Sequence, residues 1–245
     1  MQATDIIRSS VSSVTALRQL AADRPELARA LSEIKLFQAR RFAGSYADLL
    51  HTDQYRPAAL FFLQELYSER DYAVRDAQFA RIAGALERLF PPQVVQTAVA
   101  LAQLHHLTEA LDLAMAEQWL RPGHANDTAR YIAAWRAVDQ RPERHRQVAT
   151  VLQVGLELDH LTRTPGLRLM LKLMRGPANL AGLGALQRFL ELGFDTFAKM
   201  GRDGKGAAHF LDLVQVRETH LLDQLFDADA RACEAALALI MEAGR

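Results

Sequence analysis

The chain has 245 residues, 50% of them hydrophobic, which is enough to build a sizeable core. Its 29 Lys and Arg balance its 29 Asp and Glu, so no global field draws it onto nucleic acid or an anionic membrane. Cys233 is its 1 cysteine, which excludes an intrachain disulfide and a Cys-rich metal cluster.

Ala, Leu, Arg, Glu and Gln dominate, and 13 Gly with 8 Pro are too few for a loop-rich β-sandwich, so the composition favours helix. Met1 to Arg8 lacks a basic segment followed by an apolar one, and no apolar run approaches the roughly 18–20 residues of a membrane span. A soluble, cytoplasmic protein is expected.

Thr4 to Ala22 reads as a first helix, with Ile7, Val11, Val14 and Leu17 at helical spacing. Asp23 is a candidate N-cap for a second helix that starts at Pro25 and runs to about Arg41, with Leu27, Leu31, Ile34 and Phe37 or Gln38 as its stripe. Ser45 would cap a shorter segment, Tyr46 to Thr52. Pro57 opens the next helix, which carries Phe61-Phe62-Leu63-Gln64-Glu65-Leu66-Tyr67. After a sharp turn, Asp71 reads as the N-cap of a helix from Tyr72 to Phe90 with Phe79, Ile82, Leu86 and Leu89 inward. Pro91-Pro92 ends it and begins another, because proline is tolerated at a helix start and not inside.

Pro92 to Leu120 is the longest helical segment, apolar around most of its circumference, and such a helix belongs in the middle of a bundle. Asn126 or Asp127 caps a helix with Tyr131 and Trp135, and Arg141-Pro142 leads into Glu143 to Arg163. A short helix from Thr164-Pro165 to Arg175 follows, then Ala178 to Met200, where Gly182 and Gly193 would allow close helix approach. A flexible loop, Gly201 to Gly206, precedes helices at about Ala207 to Phe226 and Asp229 to Ala243. With no strand alternation, no repeat and no long polar linker, the chain reads as all-α, one domain over 1–245, a compact bundle of about ten to twelve helices.

Several charged residues fall on apolar stripes. Asp159 lies beside Leu152, Gly155 and Leu156, with Arg163 one turn on; Asp112 edges the stripe of Leu101, Leu104, Thr108 and Leu111. Glu65 sits between Phe61 and Phe62, and Arg75 aligns with Phe79, Ile82 and Leu86. Lone buried charges are costly, so a network among Glu65, Arg75, Asp112, Asp159 and Arg163 is expected, either structural ion pairing or a ligand site. His105 shares a flank with Asp112, and His105 and His106 are candidates for an axial ligand or a general base, or for ordinary hydrogen-bonded core histidines.

Glu157-Leu158-Asp159-His160 and Asp48-Leu49-Leu50-His51 have the acid-x-x-His spacing of di-iron bundles, but about one such spacing arises by chance here, so no metal site is assigned. Arg168, Lys172 and Arg175 share one face at i, i+4 and i+7 and make an anion-patch candidate, with Leu169, Met170, Leu173 and Met174 expected to pack inward. The Arg141 to Arg146 cluster and the acids around the last helix are opposed patches that would suit a homo-oligomer, or plain surface charge. No phosphate loop and no Gly-x-Ser-x-Gly elbow is present, and Cys233 reads as packing.

The segments Phe-Phe-Leu-Gln-Glu-Leu-Tyr…Arg-Asp…Arg-Asp from Phe61 to Asp76, and Arg-Gly-Pro-Ala…Phe-Leu-Glu-Leu-Gly-Phe from Arg175 onward, resemble an uncharacterised family of bacterial helical proteins. The likeness covers most of the chain and carries over no activity and no functional residue. Where that family tends to have Gly after the Tyr, this chain has Ser68. The functional expectation is a non-catalytic binding or scaffold protein. The alternative is a haem- or iron-dependent enzyme built on His105, Asp112, Asp159 and Glu65 around an internal site.

Overall fold

The computed structural model describes residues 2–65, 72–123, 125–200 and 206–244. Among the described residues every regular element is a helix: α1 (Ala3–Ala22), α2 (Pro25–Ser45), α3 (Ala47–Leu50), α4 (Arg56–Glu65), α5 (Ala73–Leu89), α6 (Pro92–Trp119), α7 (Asp127–Val138), α8 (Arg141–Thr162), α9 (Leu167–Leu173), α10 (Arg175–Leu180), α11 (Gly184–Met200), α12 (Gly206–Asp227) and α13 (Ala230–Ala243). The fold is all-α, as the composition and the 3.6-residue periodicity require. None of the described helices is long and apolar enough to cross a membrane. The Asp71 cap, Leu66 and Tyr67 at the end of the Phe61 to Tyr67 run, the Ser68 position and the 201–205 part of the glycine loop lie outside the described residues.

The 28-residue α6 runs through the middle and packs against α1, α2, α5, α7 and α8. Three apolar clusters surround it. One joins Phe37, Trp119, Tyr131, Trp135, Leu225 and Leu237, with Phe37 stacked on Tyr131 at 4.3 Å between ring centroids. A second joins Phe42, Tyr46, Phe61, Phe62, Phe197 and Phe210 from α2, α4, α11 and α12. The third is smaller and joins Ile7, Ala83, Leu86, Val95, Ala98 and Ala102. Small residues on α6 let α1 approach it closely along its length.

Some local expectations change. Asp23 terminates α1 rather than capping α2, which begins directly at Pro25, and Ser45 is the last residue of α2. Asn126 does cap α7, accepting the Ala129 N–H at 2.9 Å. Leu89 is 76% exposed, and Leu156 55%, so both leave the stripes assigned to them.

The larger change lies between Thr164 and Met200, where three helices replace two. Gly182, at φ 68°, ends α10 in the left-handed conformation. The Leu183 N–H bonds the Ala178 carbonyl at 2.7 Å and the Gly182 N–H bonds the Asn179 carbonyl at 3.0 Å. That pair of bonds is the Schellman termination, for which glycine is the natural residue. Gly182 is therefore a turn residue and not a packing contact, whereas Gly193 does admit the Phe61 ring. Leu169 and Leu173 are 62% and 68% exposed, so the apolar side of α9 is not sealed as expected. α9 buries no residue and α10 only Ala178.

Two measurements follow from this packing. Helix opening is easiest where few apolar contacts resist it, so amide hydrogen exchange in α9 and α10 is expected to outpace that in α6 by orders of magnitude. At the α2–α13 crossing, a Cβ on Gly44 would overlap the Ile240 carbonyl, whereas one on Gly176 meets nothing within 4 Å. Gly44→Ala should cost about 1–3 kcal/mol in urea unfolding, and Gly176→Ala almost nothing.

Candidate functional site

On α6, residues Ala98, Ala102, His105, Glu109, Asp112 and Ala116 recur at alternating three- and four-residue steps and so share one face. Ala98 and Ala102 join the polar members in lining a cavity of about 370 Å³, while Ala116 is buried in the core beyond it. Its apolar walls include Phe79 and Ile82 of α5, Leu101 of α6, Leu158 of α8, Met170 of α9 and Leu190 of α11. Lys35, Gln38, Glu65, Arg75, Asp76 and His105 are among its polar lining.

One polar corner centres on Asp76, which is 4% exposed. Its Oδ2 accepts from Arg18 at 2.8 Å and from His105 Nε2 at 2.9 Å, so the His105 proton is assigned to Nε2 facing the acid. Arg75 approaches Asp76 at 3.7 Å and the Glu65 carboxylate at 3.7 Å. Its guanidinium lies between the Tyr72 and Phe189 rings, 4.0 Å and 4.5 Å from their centroids. Burial pulls the Arg75 pKa down despite Asp76, Tyr72 and Glu65. Burial pushes Asp76 up, yet His105, Arg18 and Arg75 outweigh it, leaving the carboxyl below its ordinary value. Asp76 is therefore an ionised, fully engaged carboxylate.

A second polar group lies about a turn along α6. Lys35 of α2 donates to both Glu109 oxygens, at 2.8 Å and 2.9 Å. Asp112 accepts from Gln38 Nε2 at 3.0 Å, and Gln147 donates to Thr108 at 2.8 Å. Burial drives the Asp112 pKa up, opposed by Lys35. Burial disfavours the charged form of Asp112, which is 3% exposed and takes its hydrogen bond from a neutral amide.

The five-residue network expected from the sequence is thus three separate groups. Glu65 and Arg75 meet at the Asp76 corner. Asp112 lines the same cavity with Gln38 and Lys35 as neighbours. Asp159 and Arg163 form an i, i+4 pair at 2.6 Å in which Arg163 is 64% exposed, away from both. Asp159 does lie on a packed side of α8, its carboxylate largely buried. That side, with Leu152 and Gly155, meets the cluster around Leu211 of α12, while Val151, Leu158 and Leu161 line the cavity.

His105 reaches the cavity through the Asp76 bond, and His106 is half-buried outside its lining. The anion face is largely neutralised: Arg168 pairs with Asp195 at 2.7 Å and Arg175 with Glu191 at 2.6 Å, leaving Lys172 between them. Arg141 is engaged by Asp227 within the chain, which weakens the opposed-patch argument for a homo-oligomer. Of the di-iron spacings, Asp48 binds Arg217 and Glu157 accepts from Gln93. Among the described residues no group of three or more His, Cys, Asp or Glu is arranged to hold a metal ion. Burial raises the Cys233 thiol pKa, consistent with packing.

Arg18, Lys35, Asp76 and Glu109 were missed by sequence reasoning, although the signal was there. Arg18 continues the Ile7, Val11, Val14 stripe, and Glu109 sits among small residues on the α6 face.

The chain matches a family described as Domain of unknown function (DUF8198) over residues 17–232. It belongs to that family. The match spans most of the helices around the cavity, from the end of α1 into α13, and brings no assigned activity. No curated protein and no solved structure matches the chain.

The protonation of Asp112 has a measurable sign. A carboxyl whose folded pKa exceeds its unfolded one binds protons more readily when folded, so the fold loses stability as pH rises above the ordinary value of 3.8. Asp112→Asn keeps the Gln38 bond without the ionisation. It should be more stable than the parent at neutral pH, with the advantage vanishing as pH falls toward the ordinary carboxylate range in chemical denaturation.

Proposed function

We propose that this is a non-catalytic binding protein that holds a small, predominantly apolar molecule in the cavity beside α6. The observation that carries the reading is the cavity of about 370 Å³ with its largely apolar walls. Protein interiors otherwise leave few voids larger than a water, and pockets of roughly 300–1,000 Å³ with a few convergent polar groups are the usual form of small-molecule sites. An apolar occupant recovers the dispersion contacts the walls lack. The thin α9–α10 wall, which buries only Ala178, supplies an entry route that local opening can provide.

The Asp76–His105 contact of 2.9 Å favours a second, catalytic reading of the same cavity, since an acid that orients an imidazole is the arrangement of a general base. It needs no metal. The haem version fits poorly, because the Nε2 that would ligate iron is turned to Asp76 and Arg18. His105→Gln separates the two readings. Binding alone leaves the molecule that copurifies with the protein unchanged in mass, while catalysis leaves the variant holding a different, unprocessed one.

The direct test uses the neutral probe N-phenyl-1-naphthylamine. Its fluorescence should rise on mixing with the protein, with saturable one-to-one binding. Ala98→Phe, which adds bulk to the cavity wall from α6, should weaken binding at least about tenfold. Unchanged probe affinity in a folded Ala98→Phe protein would contradict the proposal.

A further inference from the structure

We propose that the molecule held in this cavity is uncharged, an apolar chain or ring system carrying a hydroxyl, carbonyl or similar neutral hydrogen-bonding group. This rests on the binding reading above and adds the class of ligand. The paired charges on the cavity wall are already matched to one another.

Lys35 is taken by both oxygens of Glu109. Asp76 is shared by Arg18, His105 and Arg75, and Arg75 also faces Glu65. Asp112, the remaining lining acid, is 3% exposed and accepts from the Gln38 amide. A ligand carboxylate would have to displace a resident acid or sit unpaired beside Glu65, Asp76 and Glu109. A ligand ammonium would have to displace Lys35 or Arg75. Either way an uncompensated charge sits among largely apolar walls, and the penalty falls on the charged ligand alone.

A neutral head meets no such penalty, because the same wall offers both donors and acceptors. The Arg75 guanidinium has five N–H groups, and its contacts at 3.4–3.7 Å are longer than charge-assisted bonds of roughly 2.7–2.9 Å. Thr108 and Gln147 already bond to each other, and each has further hydrogen-bonding capacity. A hydroxyl or carbonyl can join these groups without breaking an ion pair.

The experiment compares three ligands with one chain and three heads, decan-1-ol, decanoate and decylammonium, each displacing bound N-phenyl-1-naphthylamine at neutral pH and low ionic strength. The alcohol should displace the probe at least about tenfold more tightly than either ion. Glu109→Gln, which leaves the Lys35 charge without its acid, should move the decanoate-to-decanol affinity ratio several-fold toward decanoate. Glu65→Gln should do the same through Arg75, and serves if Glu109→Gln does not fold. Decanoate or decylammonium binding as tightly as the alcohol to the parent protein would overturn the inference, as would failure of all three to displace a probe that does bind. Failure of the probe itself to bind removes the binding reading and this inference together, a result distinct from wrong selectivity.

Discussion

The structure depends on burying charge along α6. A central helix that carries His105, Glu109 and Asp112 on a packed face obliges its neighbours to bring partners, because unpaired charges in the interior are far too costly. α2 brings Lys35 and Gln38, α5 brings Asp76, and α1 reaches Asp76 with Arg18. These contacts fix the register of α1, α2 and α5 against α6 more narrowly than apolar packing alone would, since a one-turn slip would orphan several groups at once. Removing one partner would cost far more than the pair contributes.

Those polar groups occupy one side of a space that the apolar residues around it do not fill. The aromatic clusters on either side pack tightly, as at Phe37–Tyr131 and Phe61–Phe189, where centroids lie 4.3 Å and 5.7 Å apart. Between them the short helices α9 and α10 roof the cavity rather than plug it. Their sequence explains why: Gly166 at φ 79° and Gly182 at φ 68° bracket the segment, and a chain that reverses direction so often cannot offer a long apolar face to the core. The roof is thin because it is short.

Much of this was legible in the sequence. Proline starts and helical periodicity located α1, α5, α6 and α12 nearly to the residue, together with the start of α2, and the apolar circumference of α6 marked it as central. Glu65, Arg75, His105 and Asp112 were singled out as polar residues on apolar faces, and all four line the cavity. Their partners were harder to see. Asp76 stands beside Arg75 and looks like a first-turn acid, while Arg18 and Lys35 look like surface cations until the helix opposite is known. Asp159 was grouped with the wrong partners because α8 packs on more than one side, against α12 as well as α6, and the sequence does not say which side meets the cavity. Basic residues on α9 and α10 seemed an open patch because Glu191 and Asp195, which engage them, lie well along the chain on α11.

The central claim is that the cavity is occupied in use. Native mass spectrometry of the protein purified from its own cells tests that most directly, followed by exposure of the same sample to a neutral lipid extract. The account predicts a bound small molecule that is released on denaturation and is uncharged at neutral pH, or a one-to-one mass gain from the extract. A bare chain mass that the extract leaves unchanged would contradict it.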